Sequence, residues 1–431
     1  MPVNVIIGLQ RGDEGKGRFV DMLSEEHDIV ARFNGGNNAG HTVVLPDERE
    51  LALHLVPSGI AHPGVMNIIG NGTLVNPEKL LIEIADIRSK GLEVSTKNLK
   101  ISSGAHLIMP HHIYGDMIRE QNNAQGSTKS GIAQVSSQKV MREGVRFESI
   151  DNDPEGLLEL AYDSLVAQRD QREAIGLEPI DDMAVAKAYV ESAKKIVVFV
   201  TDTVIYLNEE LRKDKPARVL AEGAQAFLLD IDHGMYPFTT SSSTTTGGVC
   251  TGLGIAPSFV GKVIGIVKLV YSHVGGGPFV TEISDPKLLK QLHGNMDTID
   301  AEKGTTTGRI RRLGHLDLPQ IRRSNMVNGT DEMALTKLDW VPRYGKEVLI
   351  CIAYKRKGKR LKIAPDAAYK LEESKPIYIS LPTWQENIQN VRKFKDLPKN
   401  AQNYVVFLEK QTGIPITRIG VGPRRDQVIN R

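Results

Sequence analysis

"IIGLQRGDEGKGRFVD", residues 6–21, joins an apolar run to a glycine-rich turn and then to an amphipathic stretch. A strand that feeds such a turn and then a helix makes a phosphate cradle. Backbone N–H groups converge on the anion, and the helix N-terminus adds a partial positive charge. Lys16 contributes a point charge. The Walker pattern G-x-x-x-x-G-K-S/T is not met, because Gln10 stands where the first glycine belongs and Gly17 replaces the metal-binding hydroxyl. Read alone, the loop suits a tight strand-to-helix turn as well as it suits phosphate. Two carboxylates change that reading, since phosphate repels them. Asp13 can ligate Mg²⁺, which cancels the repulsion, or take a proton from a substrate held nearby. Glu14 is also what the dipole of a first helical turn favours.

A second glycine cluster, "NGGNNAGHT" at 34–42, places His41 among small residues rather than on an apolar face. A histidine beside a phosphate loop can donate a proton to a leaving phosphate oxygen.

Outward from these segments, apolar runs alternate with helical patterns. Strands are expected at 3–8, 28–33 and 66–71. A helix is expected in 76–91, with Asn76 as cap, Pro77 in the first turn, an apolar stripe of Leu80, Leu81, Ile84 and Ile87, and Gly91 as its end. The alternation predicts an α/β architecture with a mainly parallel sheet. Residues 151–215 read as a charged, helical subregion, with 183–213 as one long amphipathic pattern, and 218–223 returns to strand. The Ser/Thr/Gly-rich stretch 236–254 resembles a linker in composition, but apolar patterns resume on both sides. Residues 347–365 read as a β-hairpin turning at Gly358. No repeat or linker divides the chain, so 1–431 is taken as one domain.

Composition narrows the function classes. The 431 residues are 40% hydrophobic, ample for a large core. Lys plus Arg number 54 and Asp plus Glu 52, which gives no global pull toward nucleic acid or anionic membrane. The basic tip at 355–362 reads as a solvated loop. Cys250 and Cys351 are too few for a disulfide framework and have no metal-ligand spacing. With no secretory pattern and no apolar run long enough to span a bilayer, a cytoplasmic protein is the expectation.

Taken together, the motifs resemble the adenylosuccinate synthetase family over nearly the whole chain. "GDEGKG" (12–17) and "NNAGHT" (37–42) are followed in order by "AEGAQAFLLDIDHGMYPFTTSSSTTTGG" (221–248), "VGGGPFVTE" (274–282), "GTTTGRIRRLGHLD" (304–317) and "TKLD" (336–339). The resemblance implies a P-loop-like α/β fold and a homodimer. It implies a ligase that joins IMP and L-aspartate into adenylosuccinate while GTP becomes GDP and phosphate. It also implies roles for residues. Asp13 is the base at purine N1 and touches Mg²⁺, with the Gly40 carbonyl as second ligand. His41 is the general acid, and Gln225 sits near O6. Gly12, Glu14, Gly15, Lys16, Gly17, Gly40 and Thr42 surround the GTP phosphates. Lys337 and Asp339 read the guanine, under a turn holding Gly420 and Gly422. Asn38, Thr128, Thr240, Val274 and Arg309 bind IMP with Asp13 and Gln225, and Arg142 reaches its phosphate from the partner subunit. Thr305, Thr306, Thr307, Arg309 and Arg311 form the aspartate loop.

Three departures from the family pattern stand out. Arg11 occupies a position where tryptophan is usual, and Gly420 one where serine is common. In "GSTKSGIAQ" (126–134), Lys129 and Ser130 replace a Gly-Arg pair, and Ala133 and Gln134 replace Gly-Pro. These leave open a paralogue with a shifted substrate, a 2-aminopurine nucleotide such as dGMP or another amino acid. Related phage enzymes replace the aspartate at position 13, and this chain keeps it. A non-catalytic nucleotide-binding protein is the third reading. It conflicts with the presence of Asp13, Lys16 and His41 together.

Overall fold

The computed structural model describes residues 1–45, 47–122, 126–295, 301–302 and 308–431. Among them, ten strands form the central sheet: β1 Val3–Gly8, β2 Ile29–Arg32, β3 Met66–Ile69, β4 Leu99–Ser102, β5 Val200–Thr201, β6 Val219–Glu222, β7 Val260–Lys268, β8 Glu332–Thr336, β9 Ile416–Gly420 and β10 Val428–Asn430. Their order is β10-β9-β8-β7-β1-β6-β2-β3-β4-β5. Neighbours run parallel, except that β10 lies antiparallel to β9 at one edge.

Both faces of the sheet are covered, which is why its strands read as near-continuous apolar runs. On β1, Val5 and Ile7 enter a large core with Val219, Val263 and Met333. Ile6 faces the other way, against Phe19 and Val20 of helix α1 (Lys16–Ser24). A third cluster unites Leu51, Leu53, Leu80, Ile84, Leu157 and Tyr189 beneath the helical subregion.

Helix α2 (Pro77–Ser89) follows the sequence rules closely. Asn76 accepts from the backbone N–H of Lys79, and Leu80, Ile84 and Ile87 are buried, with Leu81 only partly so. The expected long pattern over 183–213 is instead divided. Asp182–Ile196 ends in a 3₁₀ turn, Val197–Phe199, the chain extends as β5 along Ile101 and Ser102, and Thr203–Leu211 begins a new helix. Asp202 forces the restart, its carboxylate accepting from the N–H groups of Val204 and Ile205. Hydrophobic periodicity does not register such a break.

The 236–254 stretch is a packed segment. Thr244 donates its hydroxyl to the Ala226 carbonyl and its N–H to Asp230, and Gly247–Leu253 is helical. The hairpin forms as expected, Glu347–Arg356 pairing antiparallel with Lys359–Leu361 across Gly358 at φ 76°. Among the described residues, no helix is long and apolar enough to cross a membrane.

β1 lies between β7 and β6, so the chain winds away from it in both directions. Ligand sites in such sheets form at this switch point, outside the C-terminal ends of the strands. Those ends carry unusual residues for apolar strands: Arg32 on β2, Glu222 on β6 and Lys268 on β7.

Candidate active site

The loop after β1 is built from strained backbone. Gly12, Asp13 and Gly15 have φ of 92°, 59° and 84°. The left-handed region strains Asp13, so its surroundings must hold it there. Glu14 does part of this. Its fully buried carboxylate accepts from Gly12 N–H at 2.9 Å and from Lys16 Nζ at 2.6 Å. Thr336, at the end of β8, donates to the Glu14 carbonyl at 2.8 Å. Gln10 shows why the first Walker glycine is absent. Its amide bonds both backbone groups of Lys268, at 3.0 and 2.8 Å, closing the gap between β1 and β7.

Asp13 points into a cavity of about 1080 Å³. One of its oxygens accepts from Arg311 Nε at 2.8 Å. Burial pushes its carboxyl up, but Arg311, Lys268 and Lys16 outweigh that and hold it below the usual carboxylate value of 3.8.

His41 begins a strand, His41–Val44, directly beside α1. The approach requires glycine at 17, where a Cβ would stand 2.7 Å from the His41 Cβ. Behind the ring lies a buried network. His41 Nδ1 contacts Glu222 Oε1 and lies 2.8 Å from Arg32 Nη2. A guanidinium has no acceptor, so the Nδ1 proton is directed to Glu222. Glu222 also accepts from Arg32 at 2.8 Å and from the N–H and hydroxyl of Ser58 at 2.8 and 2.9 Å. Burial and Arg32 push the imidazole down to about 4 against the opposing pull of Glu222. Despite its burial, Glu222 is held far below the ordinary value by Arg32 and His41.

One cavity gathers most of the expected residues. Gly12, Asp13, Gly15, Lys16 and Gly17 line it from the first loop, and Asn38, Gly40, His41 and Thr42 from the second. Thr128, Gln225, Thr240, Val274, Arg309, Arg311 and Lys337 complete the wall. Gln225 Oε1 and Thr240 Oγ1 are buried with no hydrogen-bond partner among the described residues, as groups that take a polar ligand would be. Arg309 donates to the Gly126 carbonyl at 2.9 Å, tying its loop to the altered 126–134 segment. In that segment Lys129 is exposed and, among the described residues, lies outside the cavity lining.

Other expected residues lie elsewhere. Glu14 supports the loop from behind. Asp339 accepts from Gln389 Nε2 at 3.4 Å. Gly420 ends β9 and Gly422 follows it in a turn clasped to α1, both buried, where Arg18 donates to the Gly422 and Gln427 carbonyls. A Cβ at Gly420 would stand 3.0 Å from Arg18 Nη1 and 3.1 Å from the Leu335 carbonyl oxygen. Arg11 is buried, its guanidinium 4.6 Å from the Phe279 ring and donating to the Pro278 carbonyl at 2.7 Å. Arg142 is exposed at the end of the helix Ile132–Met141 with φ 68°. Thr305, Thr306 and Thr307 lie outside the described residues.

Sequence reasoning did not single out Arg32, Ser58, Glu222, Lys268 or Glu302. The available signal was a charge ending an apolar parallel strand, which marks Arg32, Glu222 and Lys268.

Comparison with known proteins agrees with this geometry. The family model for adenylosuccinate synthetase matches residues 5–429. Adenylosuccinate synthetase of Streptomyces griseus is 42% identical, the match covering 100% of this chain and 99% of that protein. That of Chlorobium phaeobacteroides is 43% identical, with 99% and 97% covered. Among solved structures, fully ligated adenylosuccinate synthetase from Plasmodium falciparum superposes with a TM-score of 0.89, 35% identity and full coverage of both chains. A cyanophage S-2L succinoaminodeoxyadenylate synthetase, bound to dGMP and dATP as an energy donor, shares the fold at 19% identity and TM-score 0.59, with 99% and 95% covered. The chain belongs to the adenylosuccinate synthetase family.

Proposed function

We propose that this ligase joins IMP and L-aspartate into adenylosuccinate with GTP as the energy donor, the first committed step from IMP to AMP. The observation that carries the reading is the Asp13 carboxylate, which faces the cavity and is kept ionised by Arg311, Lys268 and Lys16. The C6 oxygen of hypoxanthine is a poor leaving group. Asp13 takes the N1 proton, and the O6 that gains the electron pair attacks the GTP γ-phosphorus. Cations already in place stabilise the charge that develops. The γ-phosphoryl group moves to O6 and GDP departs. The amine of aspartate then displaces phosphate at C6, forming the C–N bond.

His41 acts on the departing GDP oxygen. Its Nδ1 proton is committed to Glu222, so only Nε2 is available for transfer. The ring is neutral near pH 7 in the surroundings described, and an anionic triphosphate at the cavity wall raises its affinity for a second proton. Asn38, Thr128, Thr240 and Gln225 hold IMP, and Arg311 with Arg309 holds the aspartate carboxylates.

Members of this family generally need a divalent metal, and the residues fit Mg²⁺. Among the described residues, no cluster of three His, Cys, Asp or Glu side chains forms a self-sufficient metal site. Asp13 and Gly40 both line a cavity sized for nucleotides. Mg²⁺ favours such sparse protein ligation completed by phosphate oxygens and water. When bound, it neutralises triphosphate charge.

We further read the enzyme as a cytoplasmic homodimer. Arg142 is not part of its own cavity wall, and the adjacent Val140 and Met141 are 82% and 53% exposed. A partner covering that apolar end would receive Arg142 at its IMP phosphate.

Purified protein given IMP, GTP, Mg²⁺ and aspartate is expected to yield adenylosuccinate and GDP by mass spectrometry. Absence of both products overturns the ligase reading. Asp13→Asn removes the base and lowers kcat by at least ~10²-fold with little change in melting temperature; near-normal turnover removes Asp13 from its role. Competition of IMP against dGMP tests the shifted-substrate reading, and retention of Asp13 favours IMP.

A further inference from the structure

Glu302 is fully buried, yet none of the chemistry above uses it. A carboxylate without water is costly unless opposing charges compensate it. Three cations from separate segments do so. Its Oε2 accepts from Lys268 Nζ at 3.0 Å and Arg311 Nη1 at 3.2 Å, and its Oε1 lies 2.8 Å from Lys337 Nζ. Each of the three has a further attachment. Lys268 donates to the Ser272 hydroxyl, Arg311 turns its Nε to Asp13, and Lys337 Nζ lies 3.4 Å from the Trp340 ring centre.

Resting on the ligase reading, we propose that Glu302 is a positioning residue that ties the guanine-reading Lys337 to Arg311, and through Arg311 to Asp13 and the aspartate site. The geometry gives the reason. Arg311 spans two carboxylates, with Glu302 fixing one edge of its guanidinium so that the other meets Asp13. Lys337 stands at φ 61°, a strained conformation for lysine, and Glu302 lies 2.8 Å from its Nζ. Without Glu302, Lys268 and Arg311 each lose a counter-charge and both lean on Asp13. Lys268 feels the loss most. Burial already pushes it down to about 8, with Arg311 and Lys337 acting in the same direction and Glu302 and Asp13 opposing.

The test is Glu302→Gln, which keeps shape and removes charge. KM for GTP and KM for aspartate should each rise at least ~10-fold and kcat should fall. KM for IMP should change several-fold less than either, because the groups proposed to hold the IMP phosphate and O6 do not touch Glu302 and only Asp13, at N1, is reached through Arg311. A general packing defect would move all three KM values together, and that result overturns the proposal, as does no change in GTP and aspartate. If the variant fails to fold, Glu302→Asp decides. It keeps the charge but shortens the reach, and should give the same split at about three-fold. Wild-type protein measured in parallel separates the two readings. If it makes no adenylosuccinate, the ligase assignment fails; if it turns over normally while neither variant shows the split, only the Glu302 assignment fails.

Discussion

His41 presents its two ring nitrogens to different surroundings. Nδ1 is held by a buried carboxylate that Arg32 and Ser58 hold in turn, and Nε2 alone remains for chemistry. The arrangement fixes the tautomer and opposes the depression of the imidazole by burial. Glu222→Gln should therefore act twice. It leaves Arg32 buried without its counter-charge, a loss of about 3–5 kcal/mol of stability. It also removes the support for the imidazolium, lowering kcat by ~10²-fold or more. Calorimetric melting and steady-state rates measure both, and a variant with normal kcat would show that Glu222 serves folding alone. Close packing limits the same site. A Cβ at Gly17 would displace His41, so Gly17→Ala should cost activity far more than stability.

At the scale of elements, α1 links the phosphate loop to the C-terminal turn. Arg18 donates to the carbonyls of Gly422 and Gln427, and Asp21 accepts a bidentate pair from Arg425 at 2.6 Å for both bonds. The helix proposed to cradle phosphate thereby positions the turn assigned to guanine. Arg18→Met should raise KM for GTP about ten-fold while leaving KM for IMP and aspartate nearly unchanged; equal effects on all three would remove this link. Much of this level was legible in the sequence. The strand, loop and α1 follow from 6–21, and α2 from its cap and stripe, because those signals are local. The ties of Glu222 to His41 and of Glu302 to Lys268 were not legible, since the partners are far apart in the chain and meet only through the strand order. The break at Asp202 was missed because its cap competes with a longer amphipathic pattern and wins.

For the whole molecule, burial of histidine sets the response to acid. His41, His106, His112 and His315 are pushed down to about 4, and His111 and His273 to about 3, in each case chiefly by burial. An unfolded chain protonates them near 6.5. Between pH 6.5 and about 4 the unfolded state therefore binds more protons than the folded one, and stability rises with pH across that window. Lowering the pH to 5 costs on the order of 1–2 kcal/mol for each histidine by this linkage. Asp317, pushed up to about 7 by burial, runs the other way, since its folded form keeps a proton that the unfolded form releases; Glu78, Glu83 and Asp116 are raised in the same sense. Glu222 and Glu302 are held low, so their contributions are lost chiefly below about 4.5, beneath the range from pH 7 to pH 5. The histidines are the larger group, and the balance falls on their side. The melting temperature should drop by at least ~5 °C between pH 7 and pH 5, measured calorimetrically at constant ionic strength. The drop should begin well above the carboxylate range, because histidine titrates first in the unfolded chain. A melting temperature that is flat or rises toward pH 5 would mean that these rings take up protons without unfolding, and that the packing around them is looser than this structure shows.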